Sequence, residues 1–180
     1  MSENPFKNKQ EKLDIEIELA KPEDLEAYRT IWMDALEKNP EAFQSRLEVT
    51  RKKVEADWKT DLENSKRILV FAKAGSSQEC IKSIASAVDQ SAGVWLISRV
   101  YTRPEFRRQG LSEKVLKRVL EEVKKRGGVK AKLTVRNGPN QEAARYVYRE
   151  KLGFKDITPW DNTIENSFFL EKNLDDEERK

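Results

Sequence analysis

The sequence predicts one mixed α/β domain, in which a mostly antiparallel sheet of six to seven strands is flanked by helices. Segments that alternate apolar and polar residues recur along the chain, as expected for half-buried strands. Turn segments at residues 75–77 and 89–93 join three of these segments, which predicts antiparallel hairpins. A helical stripe later lies between two strands, and that order predicts one parallel crossover.

The first half of the chain predicts a strand, a helix and a second, mostly polar helical segment. Residues 13–19 alternate apolar with acidic side chains. Pro22 opens the helix, whose first turn carries acids, and Asn39-Pro40 ends it. Residues 41–66 follow with a helical pattern. The apolar faces are Leu25, Tyr28, Ile31, Trp32 and Leu36 in the first helix, and Val54, Trp58 and Leu62 in the second segment.

The second half predicts the hairpin strands, the crossover and the end of the sheet. Gly127-Gly128 ends the crossover helix and Gly153 ends the last helix, since glycine favours helix C-termini. The predicted strands are 68–74, 81–88, 94–102, 131–135, 154–157 and 167–170, and the predicted helices are 111–126 and 141–151.

The length of 180 residues suits a single domain with one core. We assign residues 13–172 to this domain, residues 1–12 to a disordered tail and residues 173–180 to a charged tail. The chain lacks the run of about 18 apolar residues that a transmembrane helix needs. Its polar first residues lack the apolar segment of a secretory signal. With one cysteine, and therefore no intrachain disulfide, we expect a cytoplasmic protein without a membrane partner.

Charge and residue types exclude several classes of site. The 35 basic and 32 acidic residues are interleaved, so the one-sided basic surface of a nucleic-acid-binding protein is not expected. The chain has no histidine, which excludes a Ser-His-Asp or Cys-His site and a histidine-based metal site, and we expect no metal. Cys80 has no histidine to activate it, so we expect no nucleophilic role.

A loop after the strand at residues 94–102 has the features of an anion site. The chain passes through Gly110 directly into a helix, whose first turn leaves backbone N–H groups without partners at the positive end of the dipole. An alternative interpretation is a simple turn in which Ser112 caps the helix. The predicted phosphate-binding residues are Arg107, Arg108, Gln109, Gly110, Leu111 and Ser112.

This loop and the segments around it resemble the GNAT superfamily of acyl-CoA N-acyltransferases. Arg107-x-x-Gly110-x-Ser112 is similar to the family's motif R/Q-x-x-G-x-G/A, and residues 101–107 are similar to the lead-in to that motif. Residues 140–143 and Gly153-Phe154 resemble the family's second half. The resemblance covers roughly residues 13–171 in the family's order.

The resemblance implies a site for acetyl-CoA as acyl-donor co-substrate. Two parallel strands, ending near Thr102 and Val135, would splay apart and hold the pantetheine arm between them. Val100, Tyr101 and Thr102 would contact the arm, and a backbone N–H there would polarise the thioester carbonyl. Asn140 would hydrogen-bond the arm, cap the following helix, or do both.

The resemblance also implies a tyrosine that protonates the departing CoA thiolate. Tyr148 is the candidate, with Tyr146 as its competitor and a packing role as the alternative. Tyr148 lies one residue farther from both flanking motifs than is usual in the family. The general base stays open: the strand before the loop has no carboxylate, which leaves a water chain, direct loss of the proton from the solvent-exposed substrate, or a carboxylate such as Asp89 or Glu41.

Arg99 is an unusual residue for the middle of such a strand. We expect it to project to solvent between apolar neighbours, with contact to an acidic substrate group as the alternative.

The sequence therefore predicts an acetyl-CoA-dependent N-acetyltransferase that transfers acetyl directly to a primary amine of a small molecule. The alternatives are a protein or peptide N-acetyltransferase and a non-catalytic acyl-CoA sensor. A dinucleotide-binding module is disfavoured because its glycine fingerprint is missing. A homodimer is compatible with the sequence.

Overall fold

A single seven-stranded sheet organises the computed structural model, which describes residues 14–138 and 141–175. Its order is β1-β2-β3-β4-β5-β7-β6, and β4–β5 is the one parallel pair among these neighbours. The predicted fold class is confirmed. The strands are β1 Glu16–Leu19, β2 Arg67–Lys73, β3 Ile81–Asp89, β4 Val94–Thr102, β5 Lys130–Arg136, β6 Lys155–Asp156 and β7 Ser167–Asn173. The helices are α1 Leu25–Lys38, α2 Leu47–Arg51, α3 Glu55–Glu63, α4 Leu111–Lys125 and α5 Glu142–Tyr146, and a π-helical turn at Val147–Lys151 continues α5.

Helices cover both faces of the sheet and divide the core in two. On one face, α1 and α3 bury Tyr28, Trp32 and Trp58 against β2 and β3. On the other face, α4 crosses from β4 back to β5 and packs on β2 and β3. The stripe predicted from the 3.6-residue period is buried, because those positions recur on one side of a helix. Its members are Leu111, Val115, Leu116, Val119, Leu120 and Val123.

Two helical predictions need correction. The segment 41–66 contains two short helices, α2 and α3, rather than one continuous face. Val54 precedes α3, where its N–H donates to the Asp57 carboxylate at 3.1 Å, and its side chain is 63% exposed. Trp58 alone of the predicted face is fully buried, while Leu62 packs at the edge of the core.

The end of the chain is more ordered than the predicted charged tail suggests. Asn173 is the last residue of β7, and Leu174 is buried against the α4 side of the core. The rest of that tail, from residue 176, and the predicted N-terminal tail lie outside the described residues. Among the helices that the structure describes, none has the length and apolar character needed to cross a membrane.

Gly128 illustrates how α4 is joined to β5. The N–H groups of Gly127 and Gly128 donate to the carbonyls of Lys124 and Val123, both at 2.9 Å, which is the Schellman arrangement at a helix end. A Cβ atom on Gly128 would lie 2.3 Å from Val123 Cγ1 and 2.8 Å from Trp95 Cδ1. The packing therefore leaves no room for a side chain.

We expect Gly128→Ala to lower the free energy of unfolding by about 1–3 kcal/mol, because the methyl group overpacks the core. Urea denaturation measures this. Gly138→Ala is the matched control: a Cβ there meets nothing within 4 Å, so the change should stay below about 1 kcal/mol. Equal losses in both variants would contradict the packing argument.

Candidate active site

A cleft opens where β4 and β5 separate. Their parallel pairing covers only Val94–Leu96 against residues 130–132, although β4 runs on to Thr102 and β5 to Arg136. Each strand keeps its outer partner: β4 stays paired with β3, and β5 with β7. The sheet therefore remains intact on both sides of a gap, which forms a cleft of about 1110 Å³.

The end of β4 presents main-chain groups to this gap. Arg103 N–H donates to the Lys82 carbonyl of β3 at 3.0 Å, so strand alternation directs the N–H and C=O of Thr102 away from β3. Thr102 O accepts from Arg107 Nε at 3.1 Å, in agreement with that direction. The same alternation places the main chain of Val100 on the cleft side.

Tyr101 differs from its two neighbours. Its carbonyl accepts from Ser83 Oγ of β3 at 3.0 Å, so its main chain faces β3 and not the gap. Its side chain lines the cleft, and its hydroxyl donates to Asp34 at 2.7 Å. Of the three predicted pantetheine contacts, Val100 and Thr102 therefore offer backbone groups, whereas Tyr101 offers a ring.

The predicted phosphate loop lies at one end of the cleft. Gly110, with φ of 74°, is the N-cap of α4, and Lys114 N–H donates to its carbonyl at 3.1 Å. The N–H groups of Leu111, Ser112 and Glu113 in the first turn precede that bond and have no partner within the helix. Ser112 lies inside the first turn, so the alternative interpretation of Ser112 as the cap is wrong.

The other loop residues have different roles in the geometry. The Arg107 guanidinium donates to Thr102 O and, at 2.8 Å, to Asn39 Oδ1, so it ties the loop to the end of α1. Arg108 is exposed and lines the cleft. Gln109 is exposed, its side chain donates to Glu105 O at 3.4 Å, and it does not line the cleft.

Tyr148 lines the cleft from the π-helical turn. A π turn holds one more residue than an α turn, which accounts for the extra residue between Tyr148 and Gly153. Its side chain is only 6% exposed and packs edge-on against Phe154 at 6.1 Å. Burial raises the pKa of the Tyr148 phenol, so it stays protonated at neutral pH.

Tyr146 also borders the cleft but is 54% exposed, and Asn140 lies outside the described residues.

The two carboxylates considered as bases do not line the cleft. Asp89 lies at the closed end of β4, opposite Trp95, where its carboxylate accepts from Ser91 N–H at 2.7 Å. Glu41 is exposed on the turn after α1. Among the described residues that line the cleft, Glu113 is the one with a carboxylate, and it pairs with Lys117 at 2.7 Å.

Arg99 does not project to solvent, and that prediction is wrong. Ser98 and Tyr101 pair with Ser86 and Ile84, so Arg99 and Val100 together form a β-bulge. Arg99 has φ of 53°, and the bulge turns its side chain towards α1. There Arg99 contacts Asp61 Oδ2 at 3.0 Å and donates to the Tyr28 hydroxyl. Its Cζ lies 5.8 Å from the ring centroid of Tyr28 and 5.4 Å from that of Trp32.

Asp61 of α3 is the centre of a cationic cluster that the sequence did not indicate. Arg99, Arg67 and Lys53 approach its carboxylate at 3.0, 3.4 and 3.2 Å. Burial alone would raise the pKa of Asp61, but the three cations outweigh it and the pKa is lowered. The four residues come from separate elements, so no sequence spacing could have revealed the cluster.

The chain resembles known acetyltransferases in sequence and in fold. The model of the acetyltransferase (GNAT) family matches residues 25–154. Comparison with curated proteins finds no significant match. Among solved structures, YncA from Salmonella typhimurium, with its cofactor acetyl-CoA, is 18% identical with a TM-score of 0.67, covering 89% of this chain and 94% of that one.

Two further structures with the same fold differ in the acceptors that their names indicate. An aminoglycoside 6'-acetyltransferase type Ii is 16% identical with a TM-score of 0.64, covering 88% of this chain and 97% of that chain. The ribosomal-protein-S18-alanine N-acetyltransferase from Escherichia coli is 18% identical with a TM-score of 0.60, covering 89% and 94%.

The Asp61 cluster predicts a pH-dependent contribution to stability. Asp61→Asn should lower the free energy of unfolding near pH 7 by about 3 kcal/mol, because Arg99 and Arg67 lose the buried anion between them. A carboxylate with a lowered native pKa stabilises fully above its unfolded value of about 3.9, and this stabilisation is lost as the pH falls through the native pKa. The difference between the proteins should therefore shrink below about pH 4.

Urea denaturation between about pH 3 and pH 7 measures that difference. Glu63→Gln, on the exposed side of the same helix, is the control and should change stability by less than about 0.5 kcal/mol. A loss in Asp61→Asn that does not depend on pH would show that shape, and not charge, is responsible.

Proposed function

Because the chain belongs to the acetyltransferase (GNAT) family, we propose that it is an acetyl-CoA-dependent N-acetyltransferase acting on a primary amine of a small molecule. The observation that carries the proposal is the meeting of two features in one cleft. The gap between β4 and β5 ends at the first turn of α4, whose N–H groups have no partner within the helix. The transfer is direct, with both substrates bound together.

The residues at the loop fit a pyrophosphate. The N–H groups of Leu111, Ser112 and Glu113 are aligned donors at the positive end of α4, the arrangement that binds phosphate oxygens. A Cβ on Gly110 would meet nothing within 4 Å, so an anion can approach the backbone closely. Arg108 lines the same part of the cleft and adds a positive charge.

The open edge of β4 fits the pantetheine arm, which carries amides that need hydrogen-bond partners. Val100 and Thr102 present main-chain groups on the cleft side, where the next strand of a sheet would otherwise bond to them. The coenzyme, when bound, supplies the acetyl thioester. We assign to Val100 N–H the polarisation of the thioester carbonyl, because it lies in the bulge of β4, beyond the last pair with β5 and between two pairs with β3.

The reaction needs one proton donor and one proton acceptor. The neutral amine attacks the thioester carbon, the C–N bond forms, and the C–S bond breaks as the nitrogen loses its extra proton. We assign to the Tyr148 hydroxyl the donation of a proton to the departing thiolate sulfur. The proton lost by nitrogen returns through water to the tyrosine, since neither Asp89 nor Glu41 lines the cleft. The products are the acetamide and the CoA thiol.

Aromatic packing beside the cleft supports a small acceptor. Phe43 packs edge-on against Trp32 at 5.0 Å and approaches Tyr101 at 6.5 Å, so the segment after α1 forms a fixed wall.

A thiol-release assay with acetyl-CoA and a panel of small amines, peptides and proteins tests this proposal. Turnover of peptides alone would favour the protein acetyltransferase, and CoA binding without turnover would favour the sensor.

Gly110→Asp should weaken CoA binding at least about 10-fold, because it places a carboxylate where the phosphates are to bind. Isothermal titration with CoA measures the dissociation constant. Gly75→Asp is the matched control: Gly75 has φ of 77° and equal open space but lies in the β2–β3 turn. Both variants carry the same backbone strain, so a similar loss of affinity in both would contradict the phosphate assignment.

Tyr148→Phe should lower kcat by about 10²–10⁴-fold while CoA affinity changes little, because only the acid is removed. The thiol-release assay gives kcat, and titration with CoA gives the affinity. Tyr146→Phe serves as the comparison. If Tyr146→Phe lowers kcat and Tyr148→Phe does not, the acid is Tyr146.

A further inference from the structure

We propose that the acceptor is an amine that also carries a carboxylate, an amino acid or a close analogue, and that Arg99 binds this carboxylate with Arg67 beside it. The proposal rests on the proposed function and specifies its substrate class. Both arginines line the cleft, and they belong to β4 and β2 on the side covered by α1 and α3. This is the side of the sheet opposite α4.

The Arg99 guanidinium is held in place and only partly used. Its contacts to Asp61 and to the Tyr28 hydroxyl both involve Nη1. Within residues 14–138 and 141–175, no hydrogen bond or ion pair uses Nη2 or Nε, and the side chain lines the cleft and is 14% exposed. The rings of Tyr28 and Trp32 fix the guanidinium plane. A planar guanidinium with two parallel N–H groups matches a carboxylate.

Arg67 adds a second positive charge beside Arg99. Its Nη groups contact Ser86 Oγ at 3.2 Å and Asp61 at 3.4 Å. Its Nε is buried without a hydrogen-bond partner among the described residues. This Nε is out of reach of solvent, so Arg67 would act on a bound carboxylate through its charge.

The charges around Asp61 do not balance. Three cations, Arg99, Arg67 and Lys53, face its single carboxylate, which leaves a net charge of +2. Along the whole cleft, six of the charged lining residues that the structure describes are basic and one is acidic. The coenzyme's phosphates, bound at the first turn of α4 as proposed, would account for the excess there, but Arg99 and Arg67 lie on the side covered by α1 and α3. An anionic group on the acceptor would balance the remainder, whereas a polyamine would be repelled.

The position of Arg99 limits the size of the acceptor. Arg99 precedes Val100 in the same bulge, so the carboxylate site and the proposed carbonyl-polarising N–H are separated by about one arginine side chain. An amino acid, with its amine and carboxylate a few bonds apart, spans that distance.

The test compares amino acids with their carboxamides, which differ only in the charge. With the full-length protein and saturating acetyl-CoA, thiol release should give a kcat/KM about 10- to 100-fold higher for the carboxylates, the range for a charge-assisted pair. Aminophosphonates form a second arm, and a preference for them over carboxylates would overturn the assignment. Equal or better turnover of carboxamides or polyamines would also overturn it.

Substitutions then assign the preference to Arg99. Arg99→Gln should bring the carboxylate-to-carboxamide ratio to within about threefold of one. Arg51→Gln, at an exposed arginine of α2 that pairs with Glu37 and Glu48, should keep the ratio of the unmodified protein. Because Arg99 also anchors Asp61, Arg99→Lys is the second variant: it keeps the charge but loses the planar fork, so the ratio should fall severalfold. An unchanged ratio in both Arg99 variants would overturn the proposal.

A binding measurement separates failure of this inference from failure of the proposed function. Calorimetric titration with amino acids and carboxamides in the presence of CoA does not require turnover. Carboxylate-selective binding that is lost in Arg99→Gln, without turnover of any amine, would overturn the transferase and retain the carboxylate site. Turnover of amines with no selectivity in either measurement would retain the transferase and overturn the carboxylate site.

Discussion

The early end of the parallel pairing between β4 and β5 is the constraint on which the candidate site depends. After Leu96 and Lys132 the two strands have no further bonds to each other, yet each is held by its outer partner. An unpaired strand edge inside a protein is costly unless something satisfies it. Here Arg107 satisfies the carbonyl of Thr102, and the remaining polar edge faces a cleft. The sheet thus provides a preformed strand edge that can form hydrogen bonds with a ligand, while the core on both faces stays intact.

The two faces of the sheet give the cleft two different ends. On the α4 face lie the N–H groups of the first helical turn and the buried Tyr148 phenol. On the α1 face lie Arg99, Arg67 and Asp61, with aromatic rings around them. The gap between the strands is what connects these faces. An acyl donor and an acceptor that enter from opposite sides would therefore meet at the bulge of β4, which lies beyond the last pair with β5.

The bulge at Arg99 and Val100 links these functions to the fold. One extra residue in β4 breaks the alternation with β3, so that Arg99 points to α1 while Val100 keeps its main chain towards the gap. The π turn at Val147–Lys151 has a parallel effect on the other wall of the cleft. There too, one extra residue is absorbed locally, and Tyr148 still borders the cleft. Both irregularities lie at the site and leave the regular elements around them intact.

Local patterns were enough to predict most of the fold. The period-two strands, the stripe of α4 and the glycines after it are encoded by neighbours in the chain, and β4 was predicted with the bounds that it has. The segment 41–66 was less predictable, because its polar composition allows a helix but does not show where the helix breaks. Val54 has the right spacing for a buried face, yet it precedes the first turn of α3.

By itself, the sequence determined the order of the elements, the glycine loop before α4 and the resemblance that joins them into one family, because these depend on residues close together in the chain. Only the tertiary structure decided the direction of Arg99, the exclusion of Asp89 and Glu41 from the cleft, and the cluster at Asp61. The direction of Arg99 depends on the bulge of β4, and the cluster depends on the packing of α1 and α3 against the sheet. A one-residue irregularity changes which way a side chain points without changing the composition pattern that predicts the strand or helix.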